Sequence, residues 1–363
     1  MKTTSQEKVF VGMSGGVDSS VSALLLKEAG YDVVGVFIKV WQADFLPCSW
    51  RDERRDAMRA AAHIGIPLIT LDLEKEYKQE VIDYMIREYS IGRIPNPDVM
   101  CNKYVKFGGF LNFAKAHGAH KIATGHYAQI KEHTDGYSLH VGRDKEKDQS
   151  YFLWTLTKEE LSFILFPVGH LEKKEVRALA EKHQLPNAEK KDSQGLCFMG
   201  PVDMETFLTH YLHTSEGRVL DVEGKSIGTH KGALLYAIGQ RHGFQTTKTS
   251  ASGTPYFVVK KDIDANTIIV AHQDPSQKEF SAMHCTLSAL NITDIKTFIE
   301  HPLSVRIRYR GELYLAQVTQ VSDEGGAEIH FVEPVSAISR GQSAVIYAGD
   351  VCLGGGVIES CSE

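Results

Sequence analysis

V-F-V-G-M-S-G-G-V-D-S-S, residues 9–20, is the stretch from which the fold class of the N-terminal half follows. Residues 9–13 form a short apolar run, as buried strands do, and residues 20–30 have a helical pattern that ends at a glycine. Between them lies a turn with two adjacent glycines, Gly15 and Gly16. A strand, a glycine-rich turn and a helix in this order indicate an α/β domain with an anion site at the helix N-terminus.

Strand-like and helical patterns alternate outward from this stretch. The alternation predicts an open parallel sheet with helices on both faces and a ligand crevice at the carboxyl ends of the strands. Asp135-Gly136 predicts a hairpin, and Thr157 with Glu160 predicts a capping box. The predicted strands are 33–39, 67–73 and 121–124, and the predicted helices are 51–64, 74–89 and 104–117.

From about Gly217 the sequence changes to short β-rich runs separated by glycines and turns. This pattern predicts a small, mainly-β middle domain and a C-terminal β-barrel-like domain. Residues 273–278 are polar and turn-rich, which places a boundary near residue 275. The predicted domains are therefore 1–204, 205–274 and 275–363.

Composition excludes fibrous and disordered classes, because 42% of residues are hydrophobic and 24% are charged. No signal segment and no apolar run long enough to span a bilayer is evident, so the sequence predicts a cytoplasmic protein without a membrane partner. The six cysteines have no C-x-x-C spacing, and no structural metal is predicted.

The net charge of −6 argues mildly against a nucleic-acid partner, although clustering of basic residues matters more than their sum. Arg306, Arg308 and Arg310 alternate, which predicts a strand that presents all three on one face, as a phosphate contact would require. A solvated strand face is the plain alternative.

The turn after the first strand has the chemistry of a phosphate loop. Its glycines let the main chain approach phosphate oxygens, the helix dipole favours negative charge, and Ser14 and Ser19 add hydroxyl donors. Asp18 is better suited to Mg²⁺ or to a hydrogen bond than to phosphate. An ordinary tight turn is the alternative, but S-G-G-x-D-S in this setting resembles the pyrophosphatase loop of ATP enzymes that transfer AMP.

Two cysteines have neighbours that favour reactivity. Cys101 follows a loop stiffened by two prolines and precedes a predicted helix, with Lys103 and Lys106 nearby. Cys197 lies in a glycine-containing turn after Lys190 and Lys191. A helix N-terminus and nearby cations lower a thiol pKa and so favour the nucleophilic thiolate, while plain packing is the alternative for both residues. Nothing in the surroundings of the other four cysteines indicates more than a structural role.

Several motifs in one chain resemble those of the tRNA-specific 2-thiouridylases over nearly the full length. The shared strings are the S-G-G-V-D-S loop, N-P-D-V-M-C ending at Cys101, T-G-H-Y-A from Thr124, K-D-Q-S-Y-F-L from Lys147, D-S-Q-G-L-C-F through Cys197, G-Q-R-H-G from Gly239 and G-Q-S-A-V from Gly341. The family usually has methionine at the position of Ile38 and asparagine at that of Val40, so a hydrogen bond at Val40 is in doubt.

The resemblance implies a role for each matching residue. ATP would be held by Gly12, Met13, Ser14, Gly15, Gly16, Val17, Asp18, Ser19, Ile38 and Gly125. The target base would meet Asn96, Pro97 and Asp98, and tRNA would meet His126, Lys147, Asp148, Gln149, Arg308, Tyr309 and Gln342. Cys101 would be the nucleophile and Cys197 the persulfide carrier, the two forming a redox disulfide, with Asp98 as a candidate acid or base.

The resemblance further implies ATP with Mg²⁺, for which Asp18 is a candidate ligand, and a persulfide as the source of sulfur. The partners would be the tRNA anticodon arm, an upstream persulfide donor such as a cysteine desulfurase or a relay protein, and a reductant. Two alternatives stay open: a pyrophosphatase-loop synthetase that adenylates a small molecule, and a tRNA-binding scaffold without ATP turnover.

Overall fold

The computed structural model describes residues 6–46, 50–192, 203–247, 255–272, 281–293, 303–321 and 326–362. Cys48 and Cys197 lie outside these ranges. Within them, no helix is both long and apolar enough to cross a bilayer.

The N-terminal domain is built on a five-stranded parallel sheet with the order β3-β2-β1-β4-β7. The apolar run of β1 occupies the centre, where Val9 and Val11 are fully buried. The predicted open parallel sheet is confirmed. The strands up to residue 165 are β1 (Lys8–Gly12), β2 (Asp32–Lys39), β3 (Leu68–Asp72), β4 (Lys121–Ala123), β5 (Ala128–His133), β6 (Gly136–Val141) and β7 (Ile164–Leu165).

Helices cover the sheet and reach into the middle domain. The predicted capping box is present at the start of α7, where Thr157 and Glu160 bond each other's backbone amides. Two π-helical segments, Lys78–Asp83 and Cys101–Phe110, continue α3 into α4 and α5 into α6. The α-helices are α1 (Val17–Glu28), α2 (Trp50–Ile64), α3 (Glu74–Tyr77), α4 (Tyr84–Ser90), α5 (Pro97–Met100), α6 (Leu111–Ala116), α7 (Lys158–Ser162), α8 (Lys173–Lys182) and α9 (Met204–Thr209).

The helix that contains Cys101 begins earlier than predicted. It starts at Pro97 rather than near Tyr104, because the Asn96 side chain caps it by accepting a hydrogen bond from Val99 N at 3.3 Å. Proline suits the first helical position, since its missing N–H would have no partner there. Cys101 consequently lies one turn inside a helical segment and not ahead of it.

The middle domain is a second five-stranded sheet with the order β10-β9-β8-β12-β11. Val219, Ile268 and Val270 are fully buried in its small core, with Tyr236 packed beside them. Its strands are β8 (Gly217–Leu220), β9 (Ser226–His230), β10 (Phe244–Thr246), β11 (Phe257–Asp262) and β12 (Thr267–Ala271).

The C-terminal domain is a closed six-stranded barrel, as the sequence predicts. Its strand order is β13-β16-β15-β14-β17-β18, and pairing of β13 with β18 closes it. A disulfide between Cys285 and Cys361 joins these two strands, in agreement with a structural role for both residues. The strands are β13 (Ser281–Ile292), β14 (Leu303–Arg306), β15 (Tyr314–Val321), β16 (Ala327–Ser336), β17 (Ser343–Ala348) and β18 (Val351–Ser362).

The predicted hairpin at Asp135-Gly136 links the first and last domains. Its strands β5 and β6 pair with each other, and β6 also pairs with β18 of the barrel through Val351↔His140 and Cys352↔Leu139. The hairpin therefore extends the sheet of the barrel, although it belongs to the N-terminal domain by sequence.

The prediction that three alternating arginines share one strand face is wrong. β14 ends at Arg306, and the chain then turns, with Gly311 N bonded to Arg308 O at 3.0 Å and Arg310 in a left-handed conformation at φ +57°. Arg306 points inward, while Arg308 and Arg310 are exposed. Alternation puts side chains on one face only where the strand continues.

Arg306 forms an ion pair with Asp148 between the barrel and the N-terminal domain. Its Nη1 lies 3.2 Å from Asp148 Oδ2, and the two side chains are 17% and 3% exposed. The carboxylate also accepts hydrogen bonds from Gly142 N at 3.0 Å and from Ser150 N at 3.1 Å. The pair is thus one of several polar contacts between the barrel and the N-terminal domain, alongside the hydrogen bonds of Tyr151 and Trp154 with Ser343.

Replacing Arg306 by methionine is expected to lower the free energy of unfolding by about 3–5 kcal/mol, because a buried carboxylate loses its cation. Urea unfolding of the whole chain, followed by tryptophan fluorescence, measures the change. The double variant Arg306→Met/Asp148→Asn should recover part of the loss. A decrease below about 1 kcal/mol in the single variant would mean that the amide donors alone satisfy Asp148.

Candidate functional site

The predicted phosphate loop connects β1 to α1 and is held in a tight turn. Ser19 Oγ donates to Gly16 O at 3.1 Å and accepts from Ser14 N at 3.3 Å. Gly15 has φ +76°, and a Cβ there would lie 2.4 Å from Glu53 O of α2. The loop thus packs against α2 and leads directly into the N-terminus of α1. The dipole of this 12-residue helix favours an anion at that end.

The other predicted ATP residues lie on neighbouring strands or just after them. Gly125 follows β4 and approaches the loop so closely that a Cβ would lie 2.7 Å from Ser19 N. Ile38 lies near the end of β2 and is buried, as is Val40 just beyond it. Met13 and Val17, also predicted for ATP, are buried core residues, so only their backbone is available to a ligand. The cradle at Gly125 and the helix N-terminus fit a polyphosphate.

Asp18 is engaged by protein partners. Lys173 Nζ lies 2.7 Å and 2.9 Å from its two carboxylate oxygens, and Tyr127 Oη donates to Oδ1 at 2.7 Å. Burial and the Asp18 carboxylate raise the pKa of Tyr127, so its hydroxyl keeps the proton that it donates. Among the described residues no group of three or more His, Cys, Asp or Glu side chains is arranged to hold a metal ion.

Three cations surround Asp192, at the end of the described segment that leads to Cys197. Asp192 lies 2.8 Å from Lys147 Nζ, 2.8 Å from Lys173 Nζ and 2.9 Å from Arg177 Nη2. Burial alone would raise the pKa of Asp192, but hydrogen bonds from Lys147 and Lys173 and their charges lower it to about 2. The carboxylate therefore stays ionised at every pH at which the protein would be assayed.

The predicted base-contacting residues form the first turn of α5. Asn96 is buried, and its side-chain oxygen accepts the capping hydrogen bond from Val99 N. Pro97 and Asp98 are partly exposed. Cys101 is fully buried at the start of a π-helical segment, a distortion that is frequent at functional sites. Cys197 lies outside the described residues, so the predicted pairing of the two thiols stays a prediction.

Gln342 of the barrel supports the loop before α5. Its side-chain Nε2 donates to Ile94 O at 3.0 Å and to Pro95 O at 3.2 Å, while Ile94 N donates to Arg340 O at 2.8 Å. The C-terminal domain thereby fixes the entrance to the turn that is predicted to contact the base. Direct contact of Gln342 with tRNA stays a prediction.

His126 lies in the protein interior. Its Nδ1 is 2.7 Å from Thr124 Oγ1 and its Nε2 is 3.4 Å from Lys106 Nζ, and the ring contacts Phe107 and Phe166. Burial, followed by the charge of Lys106, lowers the pKa of His126 well below its usual value. The neutral ring positions its neighbours in this structure, and its contact with tRNA stays a prediction.

The remaining predicted tRNA residues differ in how accessible they are. Arg308 is exposed, and Tyr309 packs against Phe152 with ring centroids 4.3 Å apart. Gln149 accepts a hydrogen bond from Tyr127 N at 3.0 Å. Asp148 is buried in the ion pair with Arg306, and Lys147 is bonded to Asp192. The structure thus leaves Arg308 with the freest approach to a phosphate among these residues.

Sequence reasoning missed the cations and hydroxyls that organise this site. Lys173 and Arg177 lie on α8 in a stretch whose pattern is that of an ordinary solvated helix, so no signal pointed to them. Tyr127 and Asp192 lie inside the T-G-H-Y-A and D-S-Q-G-L-C-F strings, next to residues that were predicted for the site. Membership of these strings is the signal that could have identified them.

Three family models match the chain in the order of its domains. The "tRNA methyl transferase HUP domain" matches residues 7–201. The "tRNA methyl transferase PRC-barrel domain" matches residues 205–272, and the "Aminomethyltransferase beta-barrel domain" matches residues 284–358. These matches cover the parallel-sheet domain, the small β domain and the closed barrel in turn.

Curated relatives match over nearly the full length of both chains. A protein of Streptococcus equi subsp. zooepidemicus and one of Halalkalibacterium halodurans are each 44% identical, over 99% of this chain and 96% of their own length. One of Listeria monocytogenes is 43% identical, over 97% of this chain and 95% of its own. Each is named "tRNA-specific 2-thiouridylase MnmA". The chain therefore belongs to the family of the tRNA-specific 2-thiouridylases.

Proposed function

We propose that this protein is an ATP-dependent sulfurtransferase that replaces the 2-oxygen of the wobble uridine of tRNA with sulfur. The observation that carries the proposal is the placement of two predicted elements in one domain. Gly125 closely approaches the phosphate loop, and Cys101 lies in the same buried cluster as Ile38 of β2, the strand that pairs with β1. A nucleotide and a target base would thus meet at the carboxyl edge of the sheet.

Activation of the base comes first, because the 2-oxygen of uracil is a poor leaving group. The 2-oxygen attacks the α-phosphate of ATP and pyrophosphate departs, which leaves AMP bonded to the base. Backbone amides of the Ser14 to Ser19 turn and the α1 dipole stabilise the charge that develops on the pyrophosphate. Mg²⁺ bound with the nucleotide would offset the same charge. Asp98 either transfers a proton or holds the base by a hydrogen bond.

Sulfur transfer follows from a persulfide on Cys197. The terminal sulfur attacks C2, and AMP leaves with the former 2-oxygen. Cys101 then attacks the Cys197 sulfur of the adduct, so that the bond between Cys197 and the transferred sulfur breaks and its electron pair stays on the 2-thiouridine. A Cys101–Cys197 disulfide results. The cycle therefore requires an upstream persulfide donor and a reductant.

The tRNA partner would present its anticodon arm with the wobble uridine turned out of the stack, since the reacting carbonyl has to reach a pocket of the protein. Arg308, which is exposed in the turn after β14, would contact a backbone phosphate. These contacts are sequence-independent, so they would position the arm and leave the choice of base to the turn at Asn96 to Asp98.

The test is sulfur incorporation into unmodified tRNA by the whole chain with ATP, Mg²⁺, a reductant and a persulfide donor, for which a cysteine desulfurase with cysteine serves. We expect 2-thiouridine in the digested tRNA only when ATP is present. A small-molecule synthetase would release pyrophosphate without any dependence on tRNA, and a scaffold would release none. Either result would overturn the proposed function.

A further inference from the structure

Lys173 joins the phosphate loop to the segment that leads to Cys197. It is the first residue of α8, and its side chain is only 12% exposed. Its ammonium lies 2.7 Å from Asp18 Oδ1 in the loop and 2.8 Å from Asp192 Oδ1. Asp192 precedes Cys197 by five residues. One cation therefore bridges a carboxylate of the nucleotide site and a carboxylate next to the sulfur-carrying segment.

The approach to Asp192 is fastened to the loop and to the helices beside it. Asn187 Nδ2 donates to Gly15 O at 3.0 Å and to Ser20 Oγ at 2.9 Å. Lys190 Nζ lies 2.7 Å from Asp56 Oδ2 of α2. Arg177 on α8 donates to Ala188 O at 3.0 Å and to Lys190 O at 3.2 Å, as well as to Asp192. Residues 187–192 thus form a strap that is tied to Gly15 of the phosphate loop and to α1, α2 and α8, with Asp192 at its C-terminal end.

We propose that Lys173 is a positioning residue for sulfur transfer, which holds Asp192 and thereby sets where the Cys197 segment begins relative to the bound nucleotide. Both carboxylates that it contacts belong to the protein, and neither belongs to the residues that the resemblance assigns to the target base. The proposal rests on the proposed function, because only a two-stage reaction has a sulfur-transfer step that can fail alone.

Electrostatics explains why the one ammonium of Lys173 can bind both Asp18 and Asp192. Two carboxylates close to one ammonium repel each other less than they would alone, and low exposure strengthens every such interaction relative to water. Asp192 has two further cations, Lys147 and Arg177, whereas Asp18 has Lys173 and the Tyr127 hydroxyl. Removing the Asp192 charge therefore frees the C-terminal end of the strap, while its other contacts and the Asp18 to Lys173 contact stay in place.

Asp192→Asn is the sharper variant for this reason, because it keeps the size of the side chain. We expect tRNA-dependent exchange of labelled pyrophosphate into ATP to stay within about twofold of wild type, while the single-turnover rate of thiolation falls about 10- to 100-fold, the scale of a misplaced reacting group. The KM for tRNA should not change. Lys173→Met should show the same loss of thiolation, and Lys173→Arg should restore most of it.

A double variant and a control variant test whether Lys173 and Asp192 act through the same contact. The double variant Lys173→Met/Asp192→Asn should thiolate no more slowly than the slower single variant, since both remove one contact. Lys174→Met is the matched control, because its side chain is 81% exposed and pairs with Glu172, at 2.6 Å, instead of with Asp18 or Asp192.

Equal loss of exchange and thiolation in Asp192→Asn would overturn the proposal, and so would wild-type rates in both assays. If the wild-type protein does not thiolate tRNA, the proposed function is wrong, and this result does not depend on the variants.

Discussion

Cys101→Ala and Cys197→Ser are each expected to lower 2-thiouridine formation at least about 10³-fold, the scale on which loss of a nucleophile acts. Pyrophosphate exchange that depends on tRNA should persist in both variants, because activation of the base requires neither thiol. Mass spectrometry of the digested tRNA measures the first quantity, and label transfer into ATP measures the second. The two readouts together separate loss of sulfur chemistry from loss of the nucleotide site.

Cys352→Ala is the matched control, because Cys352 is also a fully buried cysteine. Burial raises its pKa to about 12, which favours the thiol over the thiolate at neutral pH, and the proposed mechanism gives it no role. Its replacement should change thiolation less than about twofold while removing some packing. Full thiolation by either Cys101→Ala or Cys197→Ser would remove that residue from the mechanism.

The parts of the fold that follow from local sequence could be predicted. The strand, turn and helix at residues 9–20 need only neighbouring residues to form, as do the capping box at Thr157 and the hairpin at Asp135-Gly136. The start of the helix that contains Cys101 was predicted wrongly from periodicity, which placed it near Tyr104. Another local feature decides it, because the Asn96 cap and Pro97 start the helix earlier.

The contacts that organise the site could not be predicted, because they join distant parts of the chain. Lys173 and Asp18 are separated by 155 residues, and Gln342 and Ile94 by 248. No single-sequence pattern encodes which charged residue of a helix surface will meet a loop. Burial could not be predicted for the same reason. A charged residue such as Asp148 is expected at the surface, but it is only 4% exposed beneath the barrel.

Gly125→Ala is expected to lower kcat/KM for ATP about 10²-fold in pyrophosphate exchange, the cost of displacing a phosphate loop by an ångström. The added Cβ would lie 2.7 Å from Ser19 N and 2.8 Å from the Asp18 carbonyl carbon. Both are backbone atoms in the first turn of α1, so neither can rotate away as a side chain could. The loop or the end of β4 must move, and the backbone amides that are proposed to bind pyrophosphate would move with it.

The control for Gly125→Ala is Gly118→Ala, at a glycine with no heavy atom within 4 Å of an added Cβ. Gly118 has φ +72°, so alanine there costs about 1 kcal/mol of backbone strain without touching the site. The kcat/KM for ATP should stay at the wild-type value in that variant. If Gly125→Ala also retained it, the close approach of residue 125 to the loop would be packing alone, and nucleotide binding would have to rest on the N-terminus of α1.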